Sequence, residues 1–159
     1  MQVFILEDSN SRIILFREVL AADPTSDVFI TDDVVEAVVK FKPPYDLILL
    51  DHDLSHEHEN EAFTGQTPTD HTGSGTEFAQ WLAKTQDPAL CPVVIHSHNP
   101  AGAERMFQAL TSSGWSVYKQ PFGLVLLDKL RRLVKETLAT PLQGVVDSPN
   151  PLDNGPVSE

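Results

Sequence analysis

The sequence predicts an α/β domain built on a buried parallel sheet. Two observations carry that expectation: five short apolar runs are mostly continuous rather than alternating, as strands covered on both faces should be, and segments of helical period separate them. Gln2 to Leu6 is the first strand, and Ile13, Phe16 and Leu20 mark the apolar stripe of the helix that follows. Asp27 to Ile30 is the second strand, followed by a stripe of Val34, Val38 and Phe41. Tyr45 to Leu50 is the third, with Phe78, Trp81 and Leu82 after it. Pro92 to Ile95 and Ser116 to Tyr118 complete the set, each followed by a helix, with stripes Ala103, Phe107, Leu110 and Leu127, Leu130, Val134. Pro141 stops the last helix, because proline lacks the amide proton and clashes with the preceding turn.

A chain of 159 residues is long enough for one core and short for two. The expected domain spans residues 1–140. Residues 141–159, with four prolines from Pro141 onward and little to bury, read as a disordered tail. Eleven Lys and Arg against 23 Asp and Glu give a net charge of -12, which repels a nucleic-acid backbone and argues against a broad nucleic-acid surface. A single cysteine, Cys91, excludes an internal disulfide. The opening MQVFILEDSN has no basic region followed by a long apolar one, and no apolar stretch reaches the roughly 20 residues that span a bilayer, so the expected location is cytoplasmic and away from membranes.

In open parallel sheets ligands bind beyond the carboxyl ends of the strands. Here the first strand ends in Glu7-Asp8, the third in Asp51-His52-Asp53 and the fourth in His96-Ser97-His98-Asn99. All six histidines lie at the third and fourth strand ends or in the long polar connection between His52 and Ser74, a length typical of functional or disordered loops. Carboxylates mixed with imidazoles are the ligand set of manganese, zinc, iron or nickel, with magnesium a further option, and such an ion would supply the positive charge that a phosphorylated ligand needs in an acidic chain. The candidate metal ligands are Glu7, Asp8, Asp51, Asp53, His71, His96 and His98. Each has a plainer reading: acidic residues at strand ends cap helices, Asn99 before Pro100 is a helix cap, and His56, His58 and His71 suit a solvated loop.

The pair Glu7-Asp8, DLILLD ending at Asp51, PVVIHS ending at Ser97, and Pro121-Phe122 resemble response-regulator receiver domains. That resemblance implies a receiver or flavodoxin-like fold: a five-stranded parallel sheet of order 2-1-3-4-5 with helices on both faces. It also implies phosphorylation at Asp51, an acidic pair that holds magnesium, and a lysine before the Pro-Phe pair. Gln120 stands at that last position, and Lys119, one residue early on a strand, points to the opposite face. ILED, LILLDHDL, His71-Thr72-Gly73 and VVIHSHNPAGAERM, within a match over roughly residues 1 to 123, are similar to the cyclic-phosphate processing receiver-like family. By position, that similarity points to Asp8, Asp51, His52, Asp53, His96 and Asn99. It implies a metal-dependent phosphodiesterase or cyclic-phosphate hydrolase acting on a small phosphorylated nucleotide, with Asp51, His52 and His96 catalytic and Ser97, Asn99 and Lys119 binding substrate. The alternative is an atypical receiver without catalysis, which signals by accepting phosphate on Asp51 or by binding a partner.

Overall fold

The computed structural model describes residues 1–54 and 73–139; the expected tail and His56, His58 and His71 lie outside them. Ten elements alternate: β1 (Gln2–Leu6), α1 (Asn10–Leu20), β2 (Asp27–Thr31), α2 (Val34–Lys40), β3 (Leu47–Leu50), α3 (Gly75–Thr85), β4 (Val93–Ile95), α4 (Pro100–Thr111), β5 (Val117–Lys119) and α5 (Leu124–Ala139). The strands form one parallel sheet in the order β2-β1-β3-β4-β5, as expected.

Side chains alternate across the sheet, so β1 feeds two cores. Phe4 and Leu6 pack with Ile48 and Leu50 beneath α2, α3 and α4, where Phe78, Leu82, Met106 and Leu110 are buried. Val3 and Ile5 join Leu47 and Leu49 on the other face, covered by Phe16 and Leu20 of α1 and Leu127, Leu130 and Val134 of α5. Phe4 lies at the centre of an aromatic group, stacked on Phe78 at 5.1 Å and edge-on to Phe41 at 5.2 Å. Not every expected stripe residue is core. Phe41 is core but caps α2 rather than belonging to it, while Phe107 is only partly buried, with Met106 taking the interior position on α4. The edge strands are also less covered than continuous apolar runs suggest: Tyr118, on edge strand β5, is 59% exposed.

Helix starts are fixed by side-chain caps. Asp33 accepts the amide of Glu36 at 2.9 Å, and Asn99, followed by Pro100, accepts the amide of Gly102 at 2.9 Å. Asn99→Ala is expected to lower stability by about 1 kcal/mol through that lost cap, read as a shift in the urea midpoint at unchanged slope.

What matters for the site is how the ladder ends. The amide of Asp51 donates to the Leu6 carbonyl (2.9 Å), that of His96 to Leu50 (2.9 Å) and that of Gln120 to Ile95 (2.9 Å). The first residue beyond each inner strand is thus held by its neighbour's last residue, so Glu7, Asp51 and His96 occupy one level at the carboxyl edge. Among the described residues, no helix is long and apolar enough to cross a membrane.

Candidate functional site at the carboxyl edge of the sheet

Three side chains that water would ordinarily reach are withdrawn from it here. Glu7 and His96 are fully buried and Asp51 is 2% exposed. One donor atom from each lies within 4.8 Å of the others, an arrangement that could hold a cation. Asp51 sits at the end of central β3 with both oxygens engaged. Its Oδ1 accepts the backbone amide of His52 at 2.7 Å, and its Oδ2 accepts Nη2 of Arg12 at 2.6 Å. The same Nη2 lies 2.9 Å from Oε1 of Glu7 and 3.6 Å from Oδ1 of Asp8. Oε1 of Glu7 also accepts the amide of Ser9 at 2.8 Å.

Against that satisfied side stands an unsatisfied one. Oε2 of Glu7 and both ring nitrogens of His96 are buried without a hydrogen-bond partner, and Nδ1 of His96 lies 3.6 Å from that oxygen. His96 otherwise meets the ring of Phe16 edge-on at 5.2 Å. Orphaned buried polar atoms of this kind ask for a partner. A divalent cation fits them: carboxylate oxygens and a neutral imidazole are suitable donors, and Glu7, Asp51 and His96 are the residues that would hold it.

Burial sets the protonation of the pair. It pushes the Glu7 carboxyl up from its ordinary 4.5 to about 8, reinforced by the charge of Asp51 and opposed by the Ser9 amide and Arg12. It pushes His96 down from 6.5 to about 4, opposed by Asp51. The signs give the pH dependence. Above about pH 4.5 the unfolded chain has lost the Glu7 proton that the folded protein keeps, so stability falls as pH rises toward 8. Below about pH 6.5 the unfolded chain gains a His96 proton that the folded protein refuses, so stability falls as pH drops toward 4. Between 4.5 and 6.5 the two slopes oppose each other. Urea midpoints are expected to be flat there and to decline toward pH 8, and Glu7→Gln should remove the alkaline decline and uncover the His96 slope, so that the acidic decline begins near pH 6.5.

A second, outer group surrounds His52. Its Nδ1 lies 2.6 Å from Oδ1 of Asp53 and its Nε2 lies 3.2 Å from Nη2 of Arg105, while Nδ2 of Asn99 donates to Asp53 at 3.2 Å. With Nδ1 protonated, the ring donates to Asp53 and its Nε2 accepts from Arg105. The ring lies so close to α4 that a Cβ at position 102 would collide with it; Gly102 makes the space. Ser97 is buried beside the cluster, its hydroxyl accepting the Asn99 amide at 3.1 Å.

The remaining candidates lie elsewhere. His98 is exposed, with Nε2 2.8 Å from the Phe122 carbonyl. Lys119 turns to α4, where its Nζ meets Glu104 at 2.6 Å and sits 4.6 Å above the Phe107 ring. Asp53 is half exposed and belongs to the outer group. Arg12 was not among the candidates, yet it is the cation closest to Asp51; its signal in the sequence is the i, i+4 spacing from Asp8 at the start of a helix.

A family model described as the cyclic-phosphate processing receiver domain matches residues 5–112. The chain belongs to that family. No curated protein matches it. Among solved structures, this receiver domain is similar to the non-phosphorylated HemR receiver domain from Leptospira biflexa, at 20% identity and a TM-score of 0.58 over 87% of this chain and 94% of that one. It is also similar to the phosphorylated cyanobacterial phytochrome response regulator RcpA, at 22% identity and 0.54 over 86% and 89%. A third is the manganese-bound form of response regulator Rcp1, at 19% identity and 0.55 over 87% and 95%. These likenesses establish the receiver fold.

That kinship corrects the expected activity. The chain's relatives are receiver domains of response regulators, so the expectation of a metal-dependent phosphodiesterase or cyclic-phosphate hydrolase is overturned, and with it the expected small-nucleotide substrate. The physical reason for the misreading is that the donor types are the same for both functions, whereas their closure is not visible in sequence. Asp51 and His96 are buried and Arg12 is closed onto the carboxylates. A cavity of about 380 Å³ beside α1 reaches Glu7, and one of about 300 Å³ lies under α5, but neither is lined by Asp51, His52 or His96.

Proposed function

We propose that this chain is an atypical receiver that takes a phosphoryl group onto Asp51 with the help of a divalent cation. The observation that carries the reading is the placement of a buried carboxylate at the end of the central strand. One oxygen is fixed by the His52 amide, the other faces the Arg12 guanidinium, and Ser97 lies at the end of the adjacent strand. In the reaction a carboxylate oxygen of Asp51 attacks phosphorus and forms a P–O bond. The bond from phosphorus to the donor's leaving group breaks, and that group departs with the electron pair. The donor belongs to the class of phosphorylated proteins or small acyl phosphates and phosphoramidates. The cation, when bound, neutralises charge on the phosphoryl oxygens.

Glu7, Asp51 and His96 are its ligands, and Asp8 stands beside them. An imidazole in place of an oxygen tilts the site toward manganese or another transition metal over magnesium. Lys119, held by Glu104, leaves Arg12 as the cation nearest Asp51, which is what makes this receiver atypical. The exposed apolar residues Tyr118, Leu124 and Val125, on β5 and at the start of α5, offer a surface for the partner protein that reads or supplies the phosphoryl group.

Incubation with acetyl phosphate plus manganese, followed by intact-mass measurement, tests this. One phosphoryl group per chain, dependent on the metal, is the expected result; an unmodified mass with either manganese or magnesium overturns it.

A further inference from the structure

Resting on that reading, we propose that Arg12 is a resident counter-cation occupying the seat of the divalent ion, so that the ion binds only as the Arg12 guanidinium leaves. One nitrogen, Nη2, reaches three carboxyl groups: Asp51 at 2.6 Å, Glu7 at 2.9 Å and Asp8 at 3.6 Å. These are the groups that would be nearest to a bound cation. A guanidinium and a dication with the same neighbours repel one another, and the carboxylate oxygens that face Arg12 cannot serve both.

Two features make exchange feasible. The Arg12 side chain is 19% exposed, whereas Glu7 and Asp51 are buried, so it has a route to solvent. Its anchoring is also one-sided: Nη2 carries the contacts, Nε is buried without a partner, and the guanidinium carbon lies 5.8 Å from the centre of the Phe122 ring, at the outer limit of a cation–π contact. Meanwhile the far wall of the cluster, Oε2 of Glu7 and the two nitrogens of His96, stays unsatisfied while Arg12 is in place. An ion could use those donors; the arginine does not.

Exchange would also free Asp51. Its Oδ2 is the oxygen that Arg12 holds, whereas Oδ1 is tied to the backbone, so releasing the arginine exposes the carboxylate oxygen that is not fixed to the chain. Coupling of this kind is reciprocal: the ion weakens the arginine's contacts by the same factor by which the arginine weakens the ion's binding.

The test titrates manganese into wild type, Arg12→Gln and Arg12→Lys, and follows the Arg12 Nε–Hε resonance of the wild type with zinc or magnesium as the diamagnetic probe. Arg12→Gln is expected to bind manganese roughly tenfold more tightly and Arg12→Lys to lie between the two. The wild-type Arg12 resonance should move to a solvent-exposed position as the ion saturates. Should Arg12→Gln fail to fold without metal, the wild-type resonance alone decides. Ion binding with the Arg12 signal unmoved, or with equal affinity in wild type and Arg12→Gln, overturns this inference and leaves the receiver reading standing. No binding by any of the three proteins overturns both.

Discussion

Asp51→Asn is expected to abolish phosphoryl acceptance completely while the sheet stays folded. The amide cannot attack phosphorus as a carboxylate does, and Asp51 is the carboxylate of the cluster that stands at the end of central β3, one oxygen fixed by the His52 amide. Asn keeps an oxygen for the His52 amide but turns an NH2 group toward Nη2 of Arg12, so two donors face each other where a 2.6 Å charge-assisted bond stood. Arg12 keeps its contacts with Glu7 and Asp8, and stability should change by no more than about 1–2 kcal/mol. Intact mass after treatment with acetyl phosphate reads the first effect and urea unfolding the second. A labelled Asp51→Asn protein places the acceptor elsewhere.

Gly75→Ala should be the more damaging change to the fold. Gly75 opens α3, its amide donates to the His52 carbonyl at 3.0 Å, and a Cβ there would drive into the carbonyl oxygen of Asp51 and against the Asp51 carbonyl carbon, 2.9 Å away. Both obstacles are backbone atoms of the acceptor residue itself, so no side chain can rotate aside. Relief requires α3 to lift from β3 or the end of β3 to move, which places the cost at about 3 kcal/mol and shifts the acceptor carboxylate with it. Two readings should change together: a lower urea midpoint and a phosphorylation rate reduced well beyond any loss of folded protein. Gly102→Ala is a useful contrast, because the obstacle is the His52 ring, a side chain that can move at the expense of its contacts with Asp53 and Arg105.

These two glycines illustrate what the sequence conveys and what it hides. Strand and helix positions and the gathering of Glu7, Asp51 and His96 at one edge follow from apolar runs and from what stands after each of them, while strand order comes from the resemblance to receiver domains. The period of two along β5 also places Lys119 away from the cluster, since its neighbour Gln120 stands where the resemblance asks for lysine. Burial of the cluster is not legible, because a carboxylate in sequence looks the same whether water reaches it or not. Nor is Arg12: at the first turn of an amphipathic helix it reads as an ordinary solvated residue, and only the packing of α1 against β1 and β3 turns it inward. The close approaches at Gly75 and Gly102 depend on how α3 and α4 settle on the sheet, which no local pattern encodes. The histidine-rich stretch encouraged a catalytic reading, yet of the described histidines only His96 joins the cluster, while His52 is tied to Asp53 and Arg105 and His98 to the Phe122 carbonyl.

The most direct measurement is to locate the phosphoryl group. Protein treated with acetyl phosphate and manganese is reduced with borohydride, which converts an acyl phosphate to an alcohol, and the digested peptides are mapped by mass. Reduction confined to Asp51 is the expected result. A phosphoryl group on His52, His96 or His98, or no modification with either manganese or magnesium present, would contradict the assignment of Asp51 as the acceptor.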